Sequence, residues 1–221
     1  MLPRFLEEDR HAAYWSSRAM AFDALYERAG WWHRLLWEAL RRRHDAAMNA
    51  VRSLDRPTVC DFGCGTGRQL ASAVAHGALR GVGIDLSGEM ARIACARWAR
   101  LGLEDRLSIH VGDALRWETD ERFDLVWALG VFDYVDEPGP LLRKMAAVSK
   151  GTVLVTFRRL WALRSPLRKV AYQLSGEPIY LYTRRRVRHE LEAAGLRHVI
   201  VERLHGTCYL ARGVGVGGGH A

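Results

Sequence analysis

Between Thr58 and Leu70 the chain reads TVCDFGCGTGRQL, with one acid and three glycines at alternate positions: Asp61, Gly63, Gly65 and Gly67. Glycines so spaced let the backbone turn sharply and let a ligand approach where a Cβ would otherwise stand. A helix opening after Gly67 presents N–H groups without intrahelical partners, which suit an anionic group such as a carboxylate. A dinucleotide fingerprint needs its third glycine five residues after the first, and that position holds Arg68. Two further acids, Asp85 and Asp113, follow the apolar runs GVGI and LSIHVG. ALGVFDYVDEPG (128–139) holds Asp133 and Tyr134, polar side chains able to accept or relay a proton, beside the acids Asp136 and Glu137. Taken alone, each of these acids also reads as a turn or helix-capping residue.

These residues need elements to position them. Thr58, Val59 and Cys60 follow Pro57 and suit a buried strand, so the glycine run reads as a strand-to-helix turn. GVGID (81–85) predicts a second strand, and Ser87 the cap of a helix to about Ala99, with Met90, Ile93, Ala94 and either Trp98 or Leu101 inward. LSIHV (107–111), DLVWAL (124–129) and GTVLVTF (151–157) predict three more strands, with a helix from about Pro140 to Val148 before the last. A helix over 183–195 leads to HVIVERL (198–204) and TCYLAR (207–212). Only His205 and Gly206 join those two strands, which makes them antiparallel. The alternation predicts a parallel, doubly wound sheet with ligand at the carboxyl ends of its strands.

The first 54 residues read as a helical extension, with Leu36, Leu40, Ala47, Val51 and Leu54 at helical spacing and Arg41, Arg42 and Arg43 mainly on the solvated side. Tyr14, Trp15, Phe22, Tyr26, Trp31 and Trp32 form an aromatic group that either packs this extension onto the domain or makes it a lid. The expected organisation is a single domain over 55–213, with 1–54 as the helical extension or lid, 158–182 as a basic helical insertion and 214–221 as a flexible tail.

With three acids at strand ends in register, the D-x-G-x-G-x-G turn resembles that of the class I S-adenosylmethionine-dependent methyltransferases, over about residues 55–213. The resemblance implies an α/β, Rossmann-like, doubly wound and mostly parallel seven-stranded sheet with an antiparallel last strand. It implies S-adenosyl-L-methionine as cofactor. Asp61 then meets the methionine end, within a loop of Phe62, Gly63, Cys64, Gly65, Thr66 and Gly67. Asp85 accepts from both ribose hydroxyls, with Leu86 and Met90 beside it; Asp113 meets the adenine amino group, flanked by Gly112 and Ala114. Ala128 and Leu129 are further cofactor contacts, and Leu129 and Phe132 line the methyl-transfer site. The family places acceptor contacts and any general base after the fourth strand, which singles out Phe132, Asp133 and Tyr134, with His110 or Tyr26 behind them and Tyr14, Trp15 and Arg158 as further acceptor contacts. Asp133 and Tyr134 also read as a helix cap or core filling. The sulfonium brings its own activated methyl, so no catalytic triad is expected; Asp133, Asp136 and Glu137 read as a solvated turn, with a metal role as the weaker alternative, and no metal is expected.

Absences and charge bear on the acceptor. The fourth strand lacks an Asn/Asp-Pro-Pro-aromatic motif and a cysteine for pyrimidine attack, and VFDYVDEP resembles the motif of small-molecule enzymes of quinone and tetrapyrrole biosynthesis. The expected reaction is methylation of an oxygen, nitrogen or carbon of a small molecule, with oxygen favoured. Net charge is +8, but residues 158–188 hold nine basic side chains against Glu177, leaving 24 of the 33 basic and 24 of the 25 acidic residues elsewhere. That segment fits an anionic or lipid-like acceptor, or peripheral contact with a membrane; RNA methylation and a non-catalytic, cofactor-binding regulator are the alternatives. No apolar run reaches the roughly 18–20 residues of a membrane span, and MLPRFLEEDRH carries acids where a signal peptide turns apolar, so a cytoplasmic location is expected. Cys60, Cys64, Cys95 and Cys208 lack metal or disulfide spacing and are expected as buried, reduced thiols.

Overall fold

Apolar, β-branched runs become the strands β1 (Thr58–Phe62), β2 (Arg80–Asp85), β3 (Leu107–Val111), β4 (Phe123–Ala128), β5 (Ser149–Arg158), β6 (Arg197–His205) and β7 (Cys208–Val214). In this computed structural model, which describes residues 13–17, 19, 34–160, 179–205 and 207–215, they form one sheet in the order β3-β2-β1-β4-β5-β7-β6. The seven-stranded, mostly parallel sheet with an antiparallel closing strand agrees with the sequence reading. By internal contacts the chain divides into two units, residues 1–37 with 46–120, and residues 38–45 with 121–221.

In the first unit, β1 pairs parallel with β2, setting Asp61 beside Gly83, and β2 pairs parallel with β3, setting Asp85 beside Val111. All of β1 is buried, which explains why TVCDF shows no alternation. Residues 13–17 form a helical turn, α1. Helix α2 (Arg34–Arg52), whose residues 38–45 count with the second unit, ends before Leu54, which is exposed although its spacing matches the buried Ala47 and Val51. Helix α3 (Arg68–Ala75) buries Leu70, Ala71, Ala73 and Val74. Helix α4 (Gly88–Arg100) is capped by Ser87, whose Oγ accepts the Met90 N–H at 3.2 Å. Its buried stripe is Met90, Ala91, Ala94, Arg97 and Trp98; Leu101 is 57% exposed, so Trp98 takes the inward place.

In the second unit, β4 and β5 are parallel, while β7 runs antiparallel to both β5 and β6. The second strand of the hairpin thus pairs with β5, and the first becomes the sheet edge. Helix α5 (Gly139–Ala147) buries Leu141, Leu142, Met145 and Ala146. Helix α6 (Arg184–Ala193) is capped by Thr183 and buries Val187 and Leu191. Phe132 stacks on Phe157 at 4.6 Å, and Phe157 meets Tyr182 edge-on at 4.8 Å, which fastens the turn after β4 to β5.

All four cysteines are free thiols, but Cys95 is exposed on α4, where a buried one was expected. Phe22, Tyr26, Trp31, Trp32, the insertion over 161–178 and the tail over 216–221 lie outside the described residues. No described helix is long and apolar enough to cross a membrane.

Candidate active site

The glycine turn of the first unit is left-handed at each glycine, with φ of 72° at Gly63, 53° at Gly65 and 69° at Gly67. Glycine adopts such values without the strain that a Cβ brings. The N–H groups of Gly63 and Cys64 both donate to the Ile84 carbonyl, at 2.7 and 3.2 Å, and Gly67 N–H donates to the Cys64 carbonyl at 3.1 Å. Gly65 N–H instead donates to Asp85 Oδ2 at 2.8 Å, while Ser87 N–H donates to Asp85 Oδ1 at 2.9 Å. Two backbone donors therefore aim the carboxylate and leave each oxygen with acceptor capacity, since an ionised carboxylate offers about four acceptor positions. That suits a pair of hydroxyls. Burial pushes the Asp85 carboxyl above its ordinary range, opposed by the Ser87 and Gly65 N–H groups. Burial, then the charges of Asp61 and Asp85, push the Cys64 thiol well up, which keeps it protonated and unreactive.

Among the described residues, a Cβ at Gly65 would meet Met90 Sδ, at 4.0 Å, and nothing nearer. The next strand end is tied to the same place, because Gly112 N–H donates to the Asp85 carbonyl at 2.9 Å. Asp113 Oδ1 accepts the Leu115 N–H at 2.9 Å, and its Oδ2 lies 3.7 Å from Arg116 Nε. Asp61 is 2% exposed within β1, Phe62 and Thr66 are buried, Leu86 is exposed, and Ala114 is half-buried. His110 stands exposed on the edge strand β3, its ring beside Gly112. Ser16 Oγ of α1 lies 2.8 Å from Ser87 Oγ, so polar contacts run from α1 through Ser87 and Asp85 to Gly65. Tyr14 and Trp15 are half-buried and meet edge-on at 5.3 Å.

The second unit carries the other cluster. Gly130, at φ 99°, donates its N–H to Thr156 Oγ1 at 2.8 Å and opens the turn Val131–Tyr134. Phe132 is fully buried in its stack on Phe157, and Tyr134 is half-buried. Ala128 is buried and Leu129 half-buried. Asp133 is 2% exposed, and its Oδ2 accepts from Arg158 Nε at 3.2 Å and Nη2 at 2.8 Å, with Arg43 Nη2 at 3.5 Å. Its Oδ1 is buried and has no hydrogen-bond partner among the described residues. Arg43 Nη2 also donates to Cys208 Sγ at 3.0 Å. Tyr26 lies outside the described residues.

The profile of the family described as "Methyltransferase domain" matches residues 7–201. The chain belongs to that family. Within this methyltransferase domain, the match covers both the glycine turn and the Asp133 cluster. The chain is 30% identical over 117 residues to norajmaline N-methyltransferase of Rauvolfia serpentina, covering 50% of this chain and 40% of that protein. It is 29% identical over 133 residues to the ubiquinone biosynthesis O-methyltransferase of Stutzerimonas stutzeri (strain A1501), covering 58% and 56%. The chain thus spans about half or less of the length of these curated relatives. Magnesium protoporphyrin IX methyltransferase of Synechocystis PCC 6803, solved with bound S-adenosylhomocysteine, shares the fold with a TM-score of 0.74 at 17% identity, covering 94% of this chain and 98% of that one.

Two arginines of the methyltransferase domain escaped the sequence reading. Arg43 was expected on the solvated side, yet its side chain is 11% exposed and ion-paired to Asp133, whereas Arg41 and Arg42 are exposed. Its place four residues before Ala47 and eight before Val51, on the buried stripe, was the available signal. Arg97 is 9% exposed and donates through Nη1 to the Thr66 carbonyl. It too interrupts an apolar stripe, three residues after Ala94.

Proposed function

We propose that this chain is an S-adenosylmethionine-dependent methyltransferase that methylates a small molecule, with an oxygen nucleophile favoured. One observation carries this reading: Asp85, held by two backbone N–H groups beside a left-handed glycine turn. When bound, the cofactor supplies an activated methyl on its sulfonium, so the chain's work is to bind, orient and exclude water. Asp85 takes the ribose hydroxyls, the Asp61–Gly67 turn takes the methionine end, and Gly112, Asp113 and Ala114 take the adenine, with Leu86 and Met90 as apolar flanks. Phe132 anchors the turn after β4 from within the core. Asp133 holds Arg158 and Arg43 through Oδ2, so hydrogen bonding to an acceptor hydroxyl or amine falls to Oδ1 or to Tyr134. The aromatic N-terminal segment serves as a lid, and the protein works in the cytoplasm.

The acceptor is proposed to be anionic or lipid-like, in keeping with Arg158 and the basic segment that follows it. Arg184 and Arg185, exposed in the first turn of α6, favour RNA as the second reading. Calorimetry with S-adenosylhomocysteine, then transfer of labelled methyl to extract metabolites with mass spectrometry of the product, tests the proposal. Absence of cofactor binding overturns it. Cofactor binding with no labelled product across a broad extract favours a regulatory role. Labelled RNA, with binding that weakens steeply as salt is raised, favours the second reading.

A further inference from the structure

We infer that Arg97 and Trp98, in the last turns of α4, are positioning residues that hold the glycine turn in its ligand-accepting shape; this rests on the cofactor reading above. Arg97 Nη1 donates to the Thr66 carbonyl and Trp98 Nε1 to the Gly67 carbonyl at 3.0 Å. Both donors are buried, with Arg97 9% and Trp98 2% exposed. The indole packs so closely on the turn that a Cβ at Gly67 would stand 2.6 Å from its ring. From the same helix Met90 lies nearest to Gly65, and Ser87 at its N-cap touches Asp85. One rigid helix therefore braces the turn at Gly65, Thr66, Gly67 and Asp85.

The brace has a chemical purpose. A run containing three left-handed glycines loses more conformational freedom on ordering than the same run with side chains at those positions. Unbraced, it would pay that cost when ligand arrives, and affinity would fall. Peptide planarity fixes the direction as well: drawing the Gly67 carbonyl toward Trp98 turns the next N–H, that of Arg68 at the start of α3, away from α4. A guanidinium is costly to bury without hydrogen-bond partners. Arg97 spends its charge on a backbone carbonyl of the turn, which accounts for a cation on an otherwise apolar stripe.

The test compares Trp98→Phe, which keeps the ring but removes its donor, with Arg97→Met and Arg97→Lys. Two readouts are taken on the full chain: amide hydrogen exchange of residues 63–68 without ligand, and S-adenosylhomocysteine affinity by calorimetry. Loss of one buried hydrogen bond should weaken affinity about three- to tenfold and speed exchange in the turn to a similar degree. Amides of β1 and β2 should stay as protected as in the wild type, and Arg97→Lys should restore most of what Arg97→Met loses. Unchanged exchange and affinity in folded Trp98→Phe and Arg97→Met variants overturn the inference. Exchange that rises uniformly across the first unit overturns it too, since that marks general packing; should Arg97→Met fail to fold, Trp98→Phe and Arg97→Lys decide. A wild type that binds no S-adenosylhomocysteine overturns the cofactor reading, while exchange in the turn still tests the brace.

Discussion

Asp85 concentrates two opposing effects, desolvation of its charge and hydrogen bonds that favour it, and burial is the larger. Replacing it with Ala should weaken S-adenosylmethionine binding by about 1–3 kcal/mol, read by calorimetry, because the ribose loses a charged acceptor. Its carboxyl is raised from an ordinary 3.8, so the proton is held more tightly in the fold than in the unfolded chain. As pH falls through the raised value, cofactor affinity should decline with the charge. The ligand-free fold should meanwhile gain stability from this group, fully so below 3.8, and lose that gain as pH rises through the folded value. Asp85→Ala should flatten both trends; equal pH dependence in variant and wild type would remove Asp85 as their source. Asp133 raises a different question, because a buried carboxylate bridging two guanidinium groups is first a structural charge. Asp133→Asn should destabilise the protein by about 3–5 kcal/mol in urea unfolding, since two arginines are left poorly balanced. A variant as stable as wild type but inactive would instead make Asp133 chiefly catalytic.

At the level of elements, the ends of α4 and the glycine turn form one device. Ser87 caps the helix, contacts α1 through its hydroxyl and donates its backbone N–H to Asp85. Ser87→Ala removes the cap and should cost about 1 kcal/mol in thermal or urea unfolding, yet should spare most cofactor affinity because the N–H to Asp85 survives. Gly65→Val should abolish cofactor binding: φ is 53°, unsuited to a β-branched residue, and the side chain would stand where the backbone is to meet the ligand. Normal calorimetric affinity in that variant would mean the ligand lies elsewhere. Strand and helix limits were legible to within a few residues, because β-branched runs, Ser87 and Gly195 are local signals. The inward place of Trp98 over Leu101 was not, since both fit a helical stripe that ends between them.

For the whole molecule, binding to the folded state alone must raise apparent stability. At about a hundred times its dissociation constant, S-adenosylhomocysteine should add about 2.7 kcal/mol, which for a chain of this size raises Tm by roughly 5–10 °C in scanning calorimetry. No shift at saturating ligand would contradict cofactor binding. The charge distribution belongs to this scale too. Net charge of +8 arises in residues 158–188, and the rest of the chain balances. The charge is thus a local feature of the stretch that begins at the end of β5, and the proposal of an anionic acceptor rests on that stretch.

The residues alone determined the alternating α/β plan, the antiparallel final hairpin and the glycine turn with Asp61, Asp85 and Asp113, because each rests on local rules: periodicity, caps, short connections and backbone freedom. The pairing of β7 rather than β6 with β5 came only from the tertiary structure, since a hairpin specifies its own register but not which strand it joins. The same holds for the two buried arginines. A guanidinium in a helix reads as solvated until a partner is known, and the partners are distant in sequence: Asp133 for Arg43 and the Thr66 carbonyl for Arg97. Long-range polar contacts leave no periodic trace, so the brace on the turn and the clamp on Asp133 became visible only when folding had brought their ends together.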